Sequence, residues 1–260
     1  MSMVPIIQMV NVEKTFGTQK VLRGVNLAIM EGKTTVIVGG SGQGKSVIIK
    51  HMLGLVEPDS GEVLINGKDI NRIGKKELCD IRMQFGVLFQ NSALFDSMNV
   101  FDNVALPLRE RTTLSESKIA EIVNDKLELM DVKGTNEKYP AQISGGMKKR
   151  VGLARALVLN PKIVFFDEPT TGLDVAKSNE IYRVFFRSQA KLGYSSVIVS
   201  HDVPKIFKLA DYVALLAEGV IQENLTPEEF QMSTNPVVRD YVKATMGTLY
   251  SSENVEEESQ

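Results

Sequence analysis

The run GGSGQGKS at 39–46 constrains this 260-residue chain more than any other feature. It matches G-x-x-x-x-G-K-[ST] and lies between TTVIV (34–38), which reads as a short buried strand, and SVIIKHMLGL (46–55), which reads as a helix. Across Gly39, Gly40, Ser41, Gly42, Gln43 and Gly44 side chains are mostly small or missing. Backbone N–H groups there can turn inward around an anion. The following helix points its positive end at the same place. Lys45 adds a mobile point charge for the β- and γ-phosphates. Ser46 offers a hydroxyl to Mg²⁺, a hard ion that prefers oxygen. A phosphate cradle between strand and helix predicts nucleotide binding on a parallel α/β sheet.

The rest of the chain is compatible with that. Alternating strands and helices run through most of it, as a parallel sheet covered on both faces requires. Residues 4–30 read as strands, with Val25, Leu27 and Ile29 alternating against Asn26 and Ala28. EVLING (62–67) is another alternating strand, and QFGVLFQ (84–90) reads as a strand covered on both faces. Asn91–Gln142 reads as mostly helical and as an insertion. Within it SESKIAEIVNDKLELM (115–130) sets Ile119, Ile122, Val123, Leu127 and Met130 on one stripe, with Ser115 as N-cap. Then come a helix at 147–159, a buried strand at 162–168, a helix at 175–191, a strand at 195–201 and a hairpin at Glu218–Gly219. No internal repeat is visible. The end, SSENVEEESQ, reads as a flexible acidic tail.

Composition narrows the class. Thirty Lys+Arg against 32 Asp+Glu leave a net charge of −2, which argues against a protein that coats nucleic acid. With 43% hydrophobic residues the chain is neither disordered nor collagen-like, and its length needs no disulfide staple. The one cysteine, Cys79, forms no internal disulfide and reads as a small helix or core residue. His51 and His201 are the only histidines, too few for a His/Cys metal cluster. No stretch reaches the roughly 18 apolar residues of a membrane span. The start, MSMVPIIQMVNVEK, is not a signal peptide, so a cytosolic location is expected unless a partner holds the chain to a membrane.

Two further motifs carry chemistry. IVFF (163–166) ends in Asp167 and Glu168, and a parallel sheet places its ligands at the carboxyl ends of its strands. Asp167 would face the metal near Ser46, and Glu168 would serve an attacking water as general base. In ISGGMKKRVGLARAL (143–157), Ser144, Gly145 and Gly146 sit directly before an amphipathic helix, a second anion site by the same logic. One triphosphate is already cradled at 39–46. A second copy of the chain could therefore close this site over its partner's nucleotide, making a symmetric pair. The alternative is an N-cap with glycines for close packing, and Lys148, Lys149 and Arg150 as a solvated helix face.

Together these residues resemble the ATP-binding subunits of ABC transporters, over about residues 6–245. The P-loop is 39–46, the signature ISGGM is 143–147 and the Walker B segment is 163–168. Gly172, Leu173 and Asp174 resemble the D-loop, Gln90 the Q-loop residue and His201 the switch histidine. Phe16 takes the place of the aromatic that stacks on adenine. The resemblance implies a RecA-like parallel-sheet core, an N-terminal antiparallel β subdomain and an inserted α-helical subdomain. It implies a domain at 1–245 with the insertion at about 91–160 and a tail at 246–260. It further implies that Gln90 reaches Mg²⁺ and the attacking water, and that His201 contacts the γ-phosphate; His51 matches no motif. Ile143 and Met147 stand where most members have Leu and Gln, and Val175 follows Asp174 in place of Pro. Met147 has no amide to donate, so contact there rests on backbone N–H groups.

SGGMKKRVGLARAL (144–157) and QNSALFDSMNVFDNVALPLRE (90–110) resemble the ATPases paired with Mce-type lipid systems, above all the Mla-type phospholipid transport ATPase. That likeness implies a homodimer under an integral-membrane permease on the cytoplasmic face of the inner membrane, working with an Mce-domain lipid-binding component and without nucleic acid. Ala93, Leu94, Phe95, Met98 and Phe101 would receive a permease helix, or else fill the insertion's own core. Other readings are an ABC ATPase serving another substrate, a soluble ABC ATPase acting on ribosomes or DNA, and a small-molecule P-loop kinase. The last leaves 143–147, Gln90 and His201 without a role.

Overall fold

Two long strands open the chain, β1 (Pro5–Phe16) and β2 (Gln19–Met30), followed by β3 (Thr34–Val38), α1 (Lys45–Met52), β4 (Ser60–Ile65) and β5 (Lys68–Asp69). Next come α2 (Lys75–Arg82), β6 (Phe85–Leu88), α3 (Val100–Arg111), α4 (Glu116–Leu129) and α5 (Gly145–Leu157). The remainder is β7 (Ile163–Asp167), α6 (Val175–Leu192), β8 (Ser195–Val199), β9 (Tyr212–Ala217), β10 (Val220–Leu225), α7 (Pro227–Gln231) and α8 (Pro236–Met246). The computed structural model describes residues 5–201, 203 and 205–247. Most of the acidic tail read at 246–260 therefore lies outside the described residues; α8 itself closes on Gly247.

The chain divides into two compact units, Met1–Leu78 with Val197–Gln260, and Cys79–Ser196. The first unit holds an antiparallel sheet of order β2-β1-β4-β5. Val25, Leu27 and Ile29 of β2 are buried in the alternation seen in the sequence, and Ile7, Met9 and Val12 of β1 are buried as well, with a register shift between Met9 and Val12. The same unit holds strands in the order β10-β9-β3-β8. β3 pairs parallel with β9, and all five of its residues are buried. That is why TTVIV shows no alternation of buried and exposed residues. Glu218 and Gly219 form the β9–β10 turn, both at positive φ, as a two-residue hairpin with right-handed strand twist needs.

In the second unit β6 and β7 pair parallel, with Leu88 opposite Phe166. α5 lies close against β6: a Cβ on Gly86 would sit 2.5 Å from the Ala156 carbonyl oxygen. α4 is capped by Ser115 and buries Ile119, Val123 and Leu127, with Met130 just beyond. α6 starts at the N-cap Asp174 and stops at Gly193, which takes the left-handed conformation that ends helices.

The expected fold class is the observed one: parallel strands with helices, an N-terminal antiparallel sheet and a run of helices after β6. Local readings differ in several places, among them the ends of the helix read at 147–159, which is Gly145–Leu157, and of the strand read at 195–201, which is Ser195–Val199. α1 ends at Met52, short of Leu55, because Gly54 (φ 65°) turns the chain. The strand read at 62–67 stops at Ile65, where Asn66 and Gly67 make a hairpin turn into β5. Phe85 and Val87 of β6 are only half-buried, so that strand is not covered equally on both faces. Of the two readings of Cys79, helix or core, the helix is the observed one, and the side chain is exposed. Among the described residues no helix is long and apolar enough to cross a membrane.

Candidate nucleotide site

The phosphate loop grows from the buried end of β3. Gly39 (φ 149°) presses so closely on β9 that a Cβ there would lie 2.2 Å from the Leu216 carbonyl oxygen. Only glycine fits this close approach. Gly40, Ser41, Gly42 and Gln43 run along the exposed edge, and the Gln43 side-chain oxygen accepts from the Glu218 backbone N–H at 3.2 Å. Gly44 (φ 103°) opens α1 without any side-chain cap, so the positive end of that helix faces the loop. Lys45 is buried and folds back over the loop, donating to the carbonyls of Gly39 (3.0 Å) and Gly40 (2.8 Å). Ser46 follows in the first turn, half-buried. A cleft of about 390 Å³ adjoins the loop, walled by Lys20, Val21, Gly42, Gln43 and Glu218.

Two other expected site residues belong to this unit. His201 is exposed, just beyond β8, which neighbours β3; Ser200 donates to the Ile37 carbonyl at 3.3 Å. The P-loop and His201 thus leave the carboxyl ends of adjacent strands, where ligands of open α/β sheets bind. Phe16 stands exposed at the end of β1, with the Lys14 ammonium 5.6 Å from its ring centre. His51 faces away from any such role: it is buried, and its Nδ1 contacts the Val47 carbonyl at 2.7 Å. Burial pushes its pKa down.

The second unit gathers the other half. Asp167 ends β7, and Glu168 follows with φ 47°. A non-glycine residue held there stores about 1–3 kcal/mol of strain, a cost found mainly at functional positions. Thr171 Oγ1 donates to Glu168 Oε2 at 3.1 Å and fixes its direction. Gln90 leaves the end of the neighbouring β6 and is exposed. Lys149 joins the two: its ammonium donates to the Gln90 carbonyl and is attracted by Glu168, while burial lowers its pKa. The reading of Lys148, Lys149 and Arg150 as a solvated face therefore fails at Lys149, which is 5% exposed. The sequence signal was its spacing, because Leu153 and Leu157 follow at i+4 and i+8 on the buried face.

Ser144 caps α5, accepting from the Met147 N–H at 3.3 Å, with Gly145 exposed and Gly146 half-buried beside it. Asp174 caps α6, accepting from the Lys177 N–H at 2.9 Å and pairing with its ammonium at 2.6 Å, which holds the carboxyl below its usual range. The donors expected to hold Mg²⁺ fit that ion chemically: a hydroxyl (Ser46), a carboxylate (Asp167) and an amide oxygen (Gln90). Among the described residues no cluster of three or more His, Cys, Asp or Glu could hold a metal alone. Magnesium needs no such cluster, since substrate phosphates complete its shell.

Strand, glycine loop, helix and buried lysine define a P-loop nucleotide-binding protein. The sequence profile of the ABC transporter family matches residues 22–171. A Mycobacterium leprae protein called a probable ribonucleotide transport ATP-binding protein, mkl, is 40% identical over 252 residues, 96% of this chain and 73% of its own length. The intermembrane phospholipid transport system ATP-binding protein MlaF of Haemophilus influenzae is 37% identical, covering 92% and 90%. Its Escherichia coli K12 counterpart is 36% identical, covering 93% and 90%. Among solved structures, cbiO1 of Clostridium perfringens, part of the ABC transporter complex cbiONQ, superposes with TM-score 0.81 at 28% identity over 95% of this chain and 97% of its own. A dimeric ATP-binding cassette in a post-hydrolysis state with ADP and Pi gives 0.77 at 30%, covering 85% and 98%. The chain belongs to the ABC transporter family, as an ATP-binding cassette that hydrolyses ATP.

Proposed function

We propose that this cassette powers phospholipid movement across a bacterial envelope, as a homodimer bound to a separate integral-membrane permease at the cytoplasmic face of the inner membrane. An Mce-domain lipid-binding protein is the further component expected. The observation that carries the reading is the surface after Gln90. Phe95 is 49% exposed, yet its backbone is held at both ends by buried Asn103, which accepts from the Phe95 N–H at 2.8 Å and donates to its carbonyl at 3.0 Å. The Arg155 guanidinium lies 6.0 Å from the ring centre. Phe89 and Ala93 are exposed too, while Leu94, Met98 and Phe101 are half-buried. A rigidly presented aromatic on a partly apolar surface suits a partner's helix. The likeness to the two MlaF proteins, over nine-tenths of either chain, supports lipid as the cargo.

Residue roles follow from chemistry. Backbone N–H groups of Gly39, Gly40, Ser41, Gly42, Gln43 and Gly44 cradle the phosphates, and Lys45 moves to the β- and γ-phosphates. Phe16 stacks on adenine. Ser46, Asp167 and Gln90 would hold Mg²⁺, which would supply charge neutralisation for the phosphates. Glu168 takes the proton of the attacking water. His201 hydrogen-bonds the γ-phosphate. Ser144, Gly145, Gly146 and the Met147 N–H close over the partner copy's nucleotide, with Asp174 at the same seam.

Affinity capture of the chain from detergent-solubilised membranes tests the reading. A polytopic permease together with an Mce-domain protein is expected, and Phe95→Asp should lose both while keeping ATP turnover. Recovery of a sugar or amino-acid permease, or of ribosomes, contradicts it.

A further inference from the structure

Among the described residues the hydrolysis scheme leaves two buried lysines without a part, Lys126 and Lys149, and only Lys149 contacts a residue of the scheme. Lys149 lies in the second turn of α5, is 5% exposed, and donates to the Gln90 backbone carbonyl. An apolar side chain of similar size would fill that space without the cost of burying an ammonium. What the ammonium touches is the Gln90 backbone carbonyl.

Around it, one stripe of α5 grips the loop that follows Gln90. A Cβ on Gly152 would lie 2.9 Å from Leu88 Cδ1 and 3.2 Å from Ser92 Cβ, so helix and loop are in close contact. Arg155 donates to the carbonyls of Ser92 (2.7 Å) and Ala93 (2.8 Å). Lys149, Gly152 and Arg155 follow at i, i+3 and i+6, within one face of the helix. Ser92 (φ 59°) and Ala93 (φ 45°) both hold left-handed backbone, which persists where neighbours over-determine it.

We infer that Lys149 is a positioning residue for ATP hydrolysis, tying the helix that starts at Ser144 to the backbone of Gln90. This rests on the roles given above to Ser144 and Gln90. A nucleotide engaging the N-terminus of α5 would then be registered one turn away, because the helix cannot shift without carrying the lysine and the loop with it.

The test uses the full chain with Lys149→Arg, Lys149→Gln and Lys149→Met. It reads ATP turnover, ATP affinity by equilibrium binding, and amide hydrogen exchange over residues 90–93. Lys149→Arg keeps charge and donor and should stay within about threefold of wild type. Lys149→Met should lose about 10²-fold in turnover with affinity changed by about twofold at most, and the Ser92 amide should exchange about tenfold faster. Lys149→Gln should fall between. Unchanged turnover and exchange in Lys149→Met, or equal losses of affinity and turnover, overturn the inference. Should Lys149→Met not fold, equal turnover in the Arg and Gln variants overturns it. A wild-type chain without ATP turnover, or full turnover in Glu168→Gln, defeats the underlying scheme instead, and the exchange data still decide whether Lys149 tethers the loop.

Discussion

At the scale of single residues, the proposed general base is Glu168. Its backbone sits at φ 47° and Thr171 holds one carboxylate oxygen, so the side chain is aimed before any nucleotide arrives. Glutamine has the same shape and cannot take a proton. Glu168→Gln should lower turnover by about 10²–10⁴ while ATP still binds; phosphate release beside equilibrium ATP binding measures both, and wild-type release rules out Glu168 as the base. Candidate residues of this kind stand out in the sequence because they sit in contiguous motifs: 39–46, 143–147 and 167–168. Lys149 does not. A lysine between two basic neighbours looks solvated until the helix phase is counted from Leu153 and Leu157.

At the scale of elements, the loop between β6 and α3 depends on one side chain. Asn103 is fully buried; besides its two bonds to Phe95 it donates to the carbonyls of Met98 and Asn99 at 3.0 Å each. Asn99 in turn caps α3, accepting from the Asp102 N–H at 2.7 Å. Asn103→Ala should cost about 3 kcal/mol, since several buried groups lose their partner together. Urea unfolding followed by circular dichroism measures this, and a change below about 0.5 kcal/mol would show that the loop is held otherwise. Elements with a short β-branched or aromatic apolar core (β3, β7, β8) or a strong stripe (α4) could be read directly, apart from their ends. The bounds of α3 could not, because Pro107 interrupts its pattern. α7 and α8 were missed although their starts are marked, Thr226 with Pro227 and Glu229 as a capping box, and Asn235 before Pro236.

At the scale of the whole molecule, sequence order separates what function must combine. The P-loop and His201 belong to one compact unit; Gln90, Ser144, Lys149, Asp167 and Glu168 belong to the other. Linear motifs name those groups, but only three-dimensional contacts reveal the ties among them, such as Lys149 to Gln90. The proposed clamp, with ATP held by Lys45 of one copy and capped by Ser144 of another, predicts that nucleotide drives dimerisation of the isolated chain. The most direct measurement is the solution mass of Glu168→Gln by light scattering, with and without ATP and Mg²⁺. A doubling of mass on adding ATP, abolished by Ser144→Arg, is predicted. A chain that stays monomeric while saturated with ATP would contradict a nucleotide clamped between two copies.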